Sequence, residues 1–211
     1  MAKTPLIGMT MEELQDVCLQ LSMPKFTAKQ MAQWIYGKHV HAVDEMTNLS
    51  KGNREKLDSL FCVGCSAPLE TSRSVDGTIK YLFPTESGKF VETVYIPDGD
   101  RATLCVSCQV GCKMNCLFCQ TGKQGWQGDL TVRDILNQIY TVDQLMAQEG
   151  GTPLSNIVYM GQGEPLDNID NVLKSAEILT ADYGWAWSPR RITISTVGLK
   201  KNMRRLLDEC E

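Results

Sequence analysis

The sequence predicts an α/β fold, in which a partial (β/α) barrel of about three β-α units follows a small helical domain and a β-hairpin. Residues 1–60 repeat apolar side chains at helical spacing, whereas residues 78–96 alternate like two strands. Residues 101–211 then alternate short apolar runs with longer amphipathic ones, a pattern typical of parallel strands joined by right-handed helical crossovers. The expected domains are a helical accessory domain over 1–70, a hairpin linker over 71–100 and a truncated barrel over 101–211.

Three helices are expected in the helical domain. Thr10 and Glu13 form the capping-box pattern that opens a first helix, because each side chain can bond the backbone N–H of the other residue. Thr27 and Gln30 repeat this pattern for a second helix. Ser50 is a suitable N-cap for a third helix that ends near residue 60.

The hairpin comprises strands over 78–83 and 90–96, and a third strand over 102–106 leads into a cluster of cysteines. Glu92 lies in the second strand among valine and isoleucine residues. It is either a solvent-facing strand residue or a carboxylate whose burial raises its pKa and makes it a better base.

The barrel part contains alternating elements with chemistry-bearing residues at the strand ends. Helices are expected over 132–148 and 169–182, strands over 156–160 and 191–195, and a last helical stretch follows. Chemistry on parallel strands belongs at their carboxyl ends. The cysteine cluster, Gly163-Glu164 and Ser195-Thr196 all lie at such ends. Three units cannot close a barrel, so we expect a piece of a longer protein or a chain whose open edge needs a partner.

Five cysteines fall between residues 105 and 119, and the last three are Cys112, Cys116 and Cys119. Their spacing places three thiolates on one tight loop, where they can hold three corners of an iron–sulfur cubane. The fourth iron then remains open to a small-molecule ligand, which suggests catalysis rather than electron storage.

Two other interpretations of this cluster remain open. The spacing of four and then three residues is also that of one helix face, although Gly111 and Asn115 are poor helix formers. Cys105 and Cys108, paired with Cys116 and Cys119, resemble a four-cysteine zinc site. The gap between the two pairs is shorter than the roughly 15–20 residues usual in such sites.

Composition restricts the class of protein. The chain has 211 residues, 43% of them hydrophobic and 22% charged, which suits a folded protein. It contains no apolar run of about 18 residues and no signal-peptide core, so we expect no membrane span. Nine clustered cysteines indicate a reducing, cytoplasmic location. The net charge of −4 does not favour nucleic-acid binding by charge alone.

The cysteine motif, with Phe118 before the last cysteine, resembles the signature of radical S-adenosylmethionine enzymes. Longer runs at 91–97, 105–112, 160–166 and 191–198 are similar to the adenine-C2 methyltransferase family of large-subunit ribosomal RNA and transfer RNA. Shorter similar runs lie at 33–36 and 44–50. The resemblance covers nearly the whole chain but only the N-terminal part of the family's length, and it implies a partial radical S-adenosylmethionine barrel.

The resemblance implies two cofactors and their ligands. Cys112, Cys116 and Cys119 are expected to bind a 4Fe-4S cluster, whose open iron takes the amino and carboxylate groups of S-adenosylmethionine. Gly163 and Glu164 match the motif that holds the methionine amino group. Ser195 matches a further cofactor contact.

The resemblance also implies catalytic residues and a reaction. Glu92 matches a general base, and Cys105 matches the cysteine that helps to resolve a covalent protein–RNA adduct. The implied reaction methylates C2 of adenosine in 23S rRNA and tRNA through a 5′-deoxyadenosyl radical and a methyl-carrying cysteine that lies beyond residue 211. We therefore expect the 211 residues alone to be inactive.

The resemblance implies RNA contacts by the domain over 1–70 and an electron donor such as flavodoxin, whereas the oligomeric state is not predicted. Two alternative functions remain: methylation of adenosine C8 by a close relative of the same family, and a zinc-stabilised RNA-binding module.

Overall fold

The computed structural model describes residues 3–209, which divide into two compact units. The first comprises the residues up to Cys65 together with Glu177–Trp187, and the second comprises Ser66–Ala176 with the residues from Ser188 onward. No helix in the described part of the chain is both long and apolar enough to cross a membrane.

The first unit is helical, as the sequence predicts. Its elements are β1 (Thr4–Pro5), α1 (Met11–Gln20), α2 (Thr27–Ala32), α3 (Lys51–Leu60) and β2 (Phe61–Cys62). A short π-helical turn extends α2 over Gln33–Gly37. Strands β1 and β2 pair in parallel.

The caps of these helices are partly those predicted. Thr10 and Glu13 form the capping box of α1, and Ser50 accepts a hydrogen bond from Asn53 at the start of α3. The predicted capping role of Thr27 is wrong, since Thr27 is the first helical residue and Phe26 precedes it without a side-chain cap. The reason is the preceding turn: the Thr27 N–H already bonds the Pro24 carbonyl oxygen at 2.9 Å, so the chain is helical before Thr27.

An aromatic cluster lies in the core of the first unit. The Tyr36 hydroxyl donates to the Met9 carbonyl at 2.7 Å and accepts from the Gly8 N–H at 3.1 Å. The Tyr36 ring lies 5.2 Å from the Trp185 ring and 6.4 Å from that of Tyr183. The late segment Glu177–Trp187 thus completes the core of an otherwise N-terminal unit.

The second unit contains a six-stranded sheet in the order β10-β9-β6-β5-β4-β3. Its strands are β3 (Glu70–Arg73), β4 (Ile79–Pro84), β5 (Phe90–Asp98), β6 (Arg101–Cys105), β9 (Asn156–Tyr159) and β10 (Ile192–Ile194). Strand β3, which the sequence did not predict, adds an antiparallel edge to the predicted hairpin of β4 and β5.

Strands β6, β9 and β10 are parallel neighbours. They alternate with helices α5 (Val132–Glu149), α6 (Ile169–Thr180) and α7 (Lys200–Glu209). The predicted helix and strand segments of the barrel part are therefore present with shifts of a few residues. The three β-α units do not close into a ring within residues 3–209, which confirms the predicted α/β partial barrel.

The two faces of this sheet differ in burial. Tyr81, Thr93 and Leu104 lie on a fully buried face. The Thr93 hydroxyl bonds the side chain of Gln138 on α5, so this helix covers that face. Residues that alternate with them are half-buried or exposed. The open face therefore remains available for a site.

Candidate functional site

The predicted cysteine loop leaves the end of β6 and is closed at its base by a short stem. Strands β7 (Gln109–Val110) and β8 (Gly128–Asp129) pair antiparallel. A single short helix, α4 (Gln120–Lys123), interrupts the loop between them. Residues 112–119 are turns and bends rather than helix, and Asn115 has a φ of 48°. The three cysteines are therefore on a loop, and the alternative of one helix face is wrong.

Close backbone approaches shape this loop. Gly111 has a φ of 73°, and a Cβ there would lie 1.7 Å from the Gly125 carbonyl oxygen, so only glycine fits. A Cβ on Gly122 would lie 3.1 Å from the Cys116 nitrogen. The Cys119 N–H bonds the Cys116 carbonyl at 2.9 Å. The backbone thus folds tightly around Cys116.

Gln109 ties the base of the loop to the segment after β9. Its fully buried side-chain amide donates to Asp129 at 2.7 Å and to Asp167 at 2.8 Å. Lys113 also pairs with Asp167 at 2.9 Å and lies over the Trp126 ring. Burial favours the neutral acid, but the hydrogen bonds from Lys113 and Gln109 outweigh it and hold the pKa of Asp167 below its usual value.

The three thiols are free, with Cys112 buried and Cys116 and Cys119 half-buried. Burial raises the pKa of Cys112, and the nearby Glu164 and the other two thiols raise it further. Within residues 3–209, no three side chains of His, Cys, Asp or Glu are grouped to hold one metal ion. A cubane does not need such a group, because each thiolate ligates a different iron. Three free thiols on one loop fit this donor set.

The Gly-rich segment after β9 packs directly on the end of β6. A Cβ on Gly163, whose φ is 103°, would lie 2.6 Å from the Gln109 Cβ. A Cβ on Gly161 would lie 2.6 Å from the Ser107 hydroxyl. The Glu164 N–H donates to the Gln109 side chain at 2.9 Å. Both glycines are therefore required for contact between neighbouring strand ends.

The Glu164 carboxyl group is buried, with only 3% of the residue exposed. It accepts hydrogen bonds from the Leu166 N–H at 3.0 Å, the Val197 N–H at 3.0 Å and the Thr196 hydroxyl. Because a carboxylate offers about four acceptor positions, these three bonds leave one for a ligand. Glu164 thus joins the ends of β9 and β10.

Ser195 immediately follows β10 and is exposed. Its neighbour Thr196, which the sequence placed at the same strand end without assigning it a role, makes the bond to Glu164. The sequence offered only proximity as a signal, since a threonine after a strand end has no distinctive spacing. The structure therefore places Ser195 beside the Glu164 anchor rather than in it.

Glu92 and Cys105 lie on the open face of neighbouring strands. Cys105 is paired across the ladder with Val94, and Glu92 precedes Val94 by two residues on the same face. Burial raises the pKa of Cys105, which a hydrogen bond with the Met160 backbone partly offsets. Cys105 is thus held as a half-buried thiol near the end of β6.

Glu92 is a solvent-facing strand residue, one of the two interpretations that the sequence left open. Its side chain is 44% exposed and pairs with Lys80 at 2.8 Å. The physical reason is strand alternation, because Val91 and Thr93 occupy the buried face and Glu92 must therefore point to the open one. The carboxylate raises the pKa of Lys80 through this hydrogen bond.

A buried polar network, not found from the sequence, connects these regions. The Ser107 hydroxyl donates to the Glu92 carbonyl at 2.6 Å and accepts from the Gln162 N–H at 2.8 Å. The Gln138 amide bonds both the N–H and the carbonyl of Ser107, at 2.9 and 3.0 Å. The available signal was a glutamine inside an apolar helix face. Ser107 thus connects β5, β6 and the Gly-rich segment.

Known protein families match both parts of the chain. Residues 4–63 match the family described as "Ribosomal RNA large subunit methyltransferase N-terminal domain", and residues 106–210 match the "Radical SAM superfamily". A solved structure, a radical SAM methyltransferase from Sphaerobacter thermophilus, superposes with a TM-score of 0.88 at 36% identity. The match covers 96% of this chain and 60% of that one.

The names of curated relatives agree with these family matches. Proteins from Phocaeicola vulgatus and Bacteroides thetaiotaomicron, each named "Probable dual-specificity RNA methyltransferase RlmN", are 56% identical over 99% and 100% of this chain. The chain spans 58% and 59% of their lengths. A "Dual-specificity RNA methyltransferase RlmN" from Alcanivorax borkumensis is 38% identical over 99% of the chain. The chain belongs to the radical S-adenosylmethionine RNA methyltransferase family and corresponds to the N-terminal part of the family's length.

Proposed function

We propose that this chain forms the cofactor-binding part of an enzyme that methylates C2 of adenosine in 23S rRNA and tRNA. The observation that carries the proposal is the Gln109 side chain, which bonds the stem of the cysteine loop and the Glu164 backbone at once. The cysteine loop and the Gly163-Glu164 segment are thereby held together beside the carboxyl ends of β6 and β9. The relatives' printed names, dual-specificity RNA methyltransferase, support the choice of RNA as substrate.

Cys112, Cys116 and Cys119 would hold the 4Fe-4S cluster. When bound, this cluster would supply the one electron for reductive cleavage of S-adenosylmethionine to methionine and a 5′-deoxyadenosyl radical. Glu164 would receive the methionine ammonium at its remaining acceptor position, where burial strengthens a charge-assisted hydrogen bond. The exposed Ser195 would add a hydroxyl contact to the same ligand.

Cys105 and Glu92 would act on the RNA adduct from the open face of the sheet. Cys105 would supply a thiol for its resolution, and Glu92 would accept a proton once its carboxylate leaves Lys80. The Ser107 hydroxyl fixes the backbone of Glu92 close to the end of β6. The two residues would thus work from adjacent strands.

The proposed enzyme has partners outside this chain. They are 23S rRNA and tRNA as substrates and a cytoplasmic electron donor such as flavodoxin. The region over 1–70 would contact RNA, the region over 71–100 would present Glu92, and residues 101–211 would form the cofactor half of the barrel. The methyl-carrying cysteine would come from sequence that the relatives contain in addition.

Anaerobic reconstitution tests the cofactor assignment. The purified chain is incubated with iron and sulfide, and its iron content, absorbance and electron paramagnetic resonance are recorded with and without S-adenosylmethionine. We expect a cluster whose spectrum changes on cofactor addition in wild type and in the control Cys62→Ala, but no cluster in Cys116→Ala. Tight zinc binding with no spectral response would overturn the assignment.

A methyl-transfer assay tests whether the 211 residues are active without the rest of the relatives' length. The cluster-loaded chain is mixed with S-adenosylmethionine, a reductant and an RNA that contains the target adenosine. We expect no 2-methyladenosine from the 211 residues alone and its formation by a longer relative under the same conditions. Methylation by the 211 residues alone would show that they carry the entire activity.

A further inference from the structure

The Gly-rich segment after β9 contains a side chain, Gln162, that takes no part in the contacts described above. Gly161, Gln162 and Gly163 are consecutive, so Gln162 provides the only side chain between two residues that press on the end of β6. Its backbone is fixed on both sides. The Gln162 N–H donates to Ser107 at 2.8 Å, and its carbonyl accepts from the N–H groups of Cys108 and Gln109 at 2.8 and 3.1 Å. The starting point of this side chain is therefore rigid.

One atom at the end of this side chain has no partner in the part of the chain that the structure describes. The Gln162 Oε1 atom is buried and has no hydrogen bond among the described residues. A side-chain amide carries an acceptor and two donors, so either orientation of the group leaves a polar atom at that position without a partner. Such a group costs about 1–3 kcal/mol. Buried polar groups without protein partners commonly bind water or a ligand.

The neighbouring Glu164 suggests a partner for the Gln162 side chain. Glu164 is two residues away, and its buried carboxylate keeps one free acceptor position at the same strand end. We propose that the Gln162 side-chain amide hydrogen-bonds S-adenosylmethionine, through the ammonium or a ribose hydroxyl of that molecule. This inference rests on the proposed function, because it takes the same cofactor site. It adds Gln162 to the residues of the cofactor site, and the bound cofactor would supply the partner that the Gln162 Oε1 atom lacks among the described residues.

A substitution at Gln162 should weaken the binding of S-adenosylmethionine without lowering the stability of the fold. Replacing Gln162 by methionine keeps the length of the side chain and removes its polar atoms. We expect the dissociation constant of S-adenosylmethionine to rise about tenfold, the loss of one hydrogen bond to a charged or polar ligand group. Because the substitution also removes a buried atom without a partner, the unfolding midpoint in urea should stay the same or rise. A residue with a structural role only would not give this pair of results.

The experiment uses the whole 211-residue chain loaded anaerobically with the cluster. Equilibrium dialysis gives the dissociation constant of radiolabelled S-adenosylmethionine, and iron and sulfide analysis confirms equal loading. Gln162→Leu is a second variant in case methionine perturbs the segment. Gln148→Met is the matched control, because Gln148 is exposed near the end of α5.

Each outcome has one interpretation. A tenfold weaker affinity with unchanged loading and stability supports the role of Gln162. Wild-type affinity in both Gln162 variants overturns the inference and leaves the proposed function intact. Loss of cluster and stability in both variants assigns Gln162 a structural role and also overturns it. Absence of S-adenosylmethionine binding by wild type overturns the proposed function, and with it the inference.

Discussion

The cysteine loop and the Gly-rich segment after β9 are held in opposite ways. Between Cys112 and Cys119 half of the residues are exposed, and among the described interactions the backbone hydrogen bond that lies within this stretch runs from the Cys119 N–H to the Cys116 carbonyl. Glu164, in contrast, is buried and bonded through both carboxylate oxygens. The Glu164 segment is thus held by hydrogen bonds of the protein itself, whereas the cysteine loop is held mainly at its base.

Removal of the Glu164 carboxylate should have the largest effect on folding. Glu164→Ala leaves the Leu166 and Val197 N–H groups without their acceptor in a buried site. We expect a loss of about 3 kcal/mol in the free energy of unfolding, because hydrogen bonds to charged groups are worth about 1.5–3 kcal/mol each and do not add fully. Urea unfolding of the iron-free chain measures it.

Glu164→Gln is the conservative comparison. It keeps one acceptor oxygen, so we expect a smaller loss than for the alanine variant. If the alanine variant unfolds at the wild-type urea concentration, the anchor is not preformed and the contrast between the two regions fails.

A matched pair of glycines tests the base of the loop. Gly111 and Gly88 have φ angles of 73° and 74°, but a Cβ would meet the Gly125 carbonyl oxygen at Gly111 and no atom within 4 Å at Gly88. We expect Gly88→Ala to cost about 1 kcal/mol for backbone strain, and Gly111→Ala about 2–3 kcal/mol.

The readouts are the free energy of unfolding in urea and the iron content after reconstitution. Gly111→Ala should also lower the iron content, because the loop must shift away from Gly125. Equal costs for the two alanine variants would show that the close approach at Gly111 is relieved without loss of stability.

The cysteines themselves should separate iron binding from folding. Cys116 is half-buried, so Cys116→Ser should change the unfolding free energy of the iron-free chain by less than about 0.5 kcal/mol. The same variant should bind no cubane. Cys108→Ala, at a position with 2% exposure, should cost about 1–2 kcal/mol and keep iron. A reversal of these two patterns would assign Cys108 to the cluster.

The ion pair of Lys113 and Asp167 should have the smallest effect. Because the folded-state pKa of Asp167 is lowered, its contribution to stability is present above the usual value of about 3.9 and is lost as the pH falls through the lower folded value. Lys113→Met should therefore flatten the dependence of unfolding free energy on pH below about 4. Lys123→Met, at an exposed position of the same loop, is the control and should leave that dependence unchanged.

Patterns that depend on local chemistry were predictable from the sequence. The capping box at Thr10, the alternation of strands with helices and the position of Ser195 at a strand end follow from spacing alone. The loop nature of residues 112–119 was also indicated by Gly111 and Asn115, both of which have positive φ. Local sequence sets these features because each involves only neighbouring residues.

Features that depend on contacts between distant residues were not predictable. The bond from Thr196 to Glu164, the Ser107–Gln138 pair and strand β3 join positions far apart in sequence. The pairing of Glu92 with Lys80 depends on the register between β4 and β5, which periodicity does not determine.

The aromatic packing of Tyr36 against Trp185 has a consequence for biosynthesis. The first unit contains Glu177–Trp187 as well as the N-terminal residues, so its core includes contacts between residues far apart in sequence. During translation the N-terminal helices emerge long before the segment that completes their core. A nascent chain that ends at Cys65 lacks the Tyr183 and Trp185 rings that lie beside Tyr36, so the complete core of this unit forms only after Trp187 has left the ribosome.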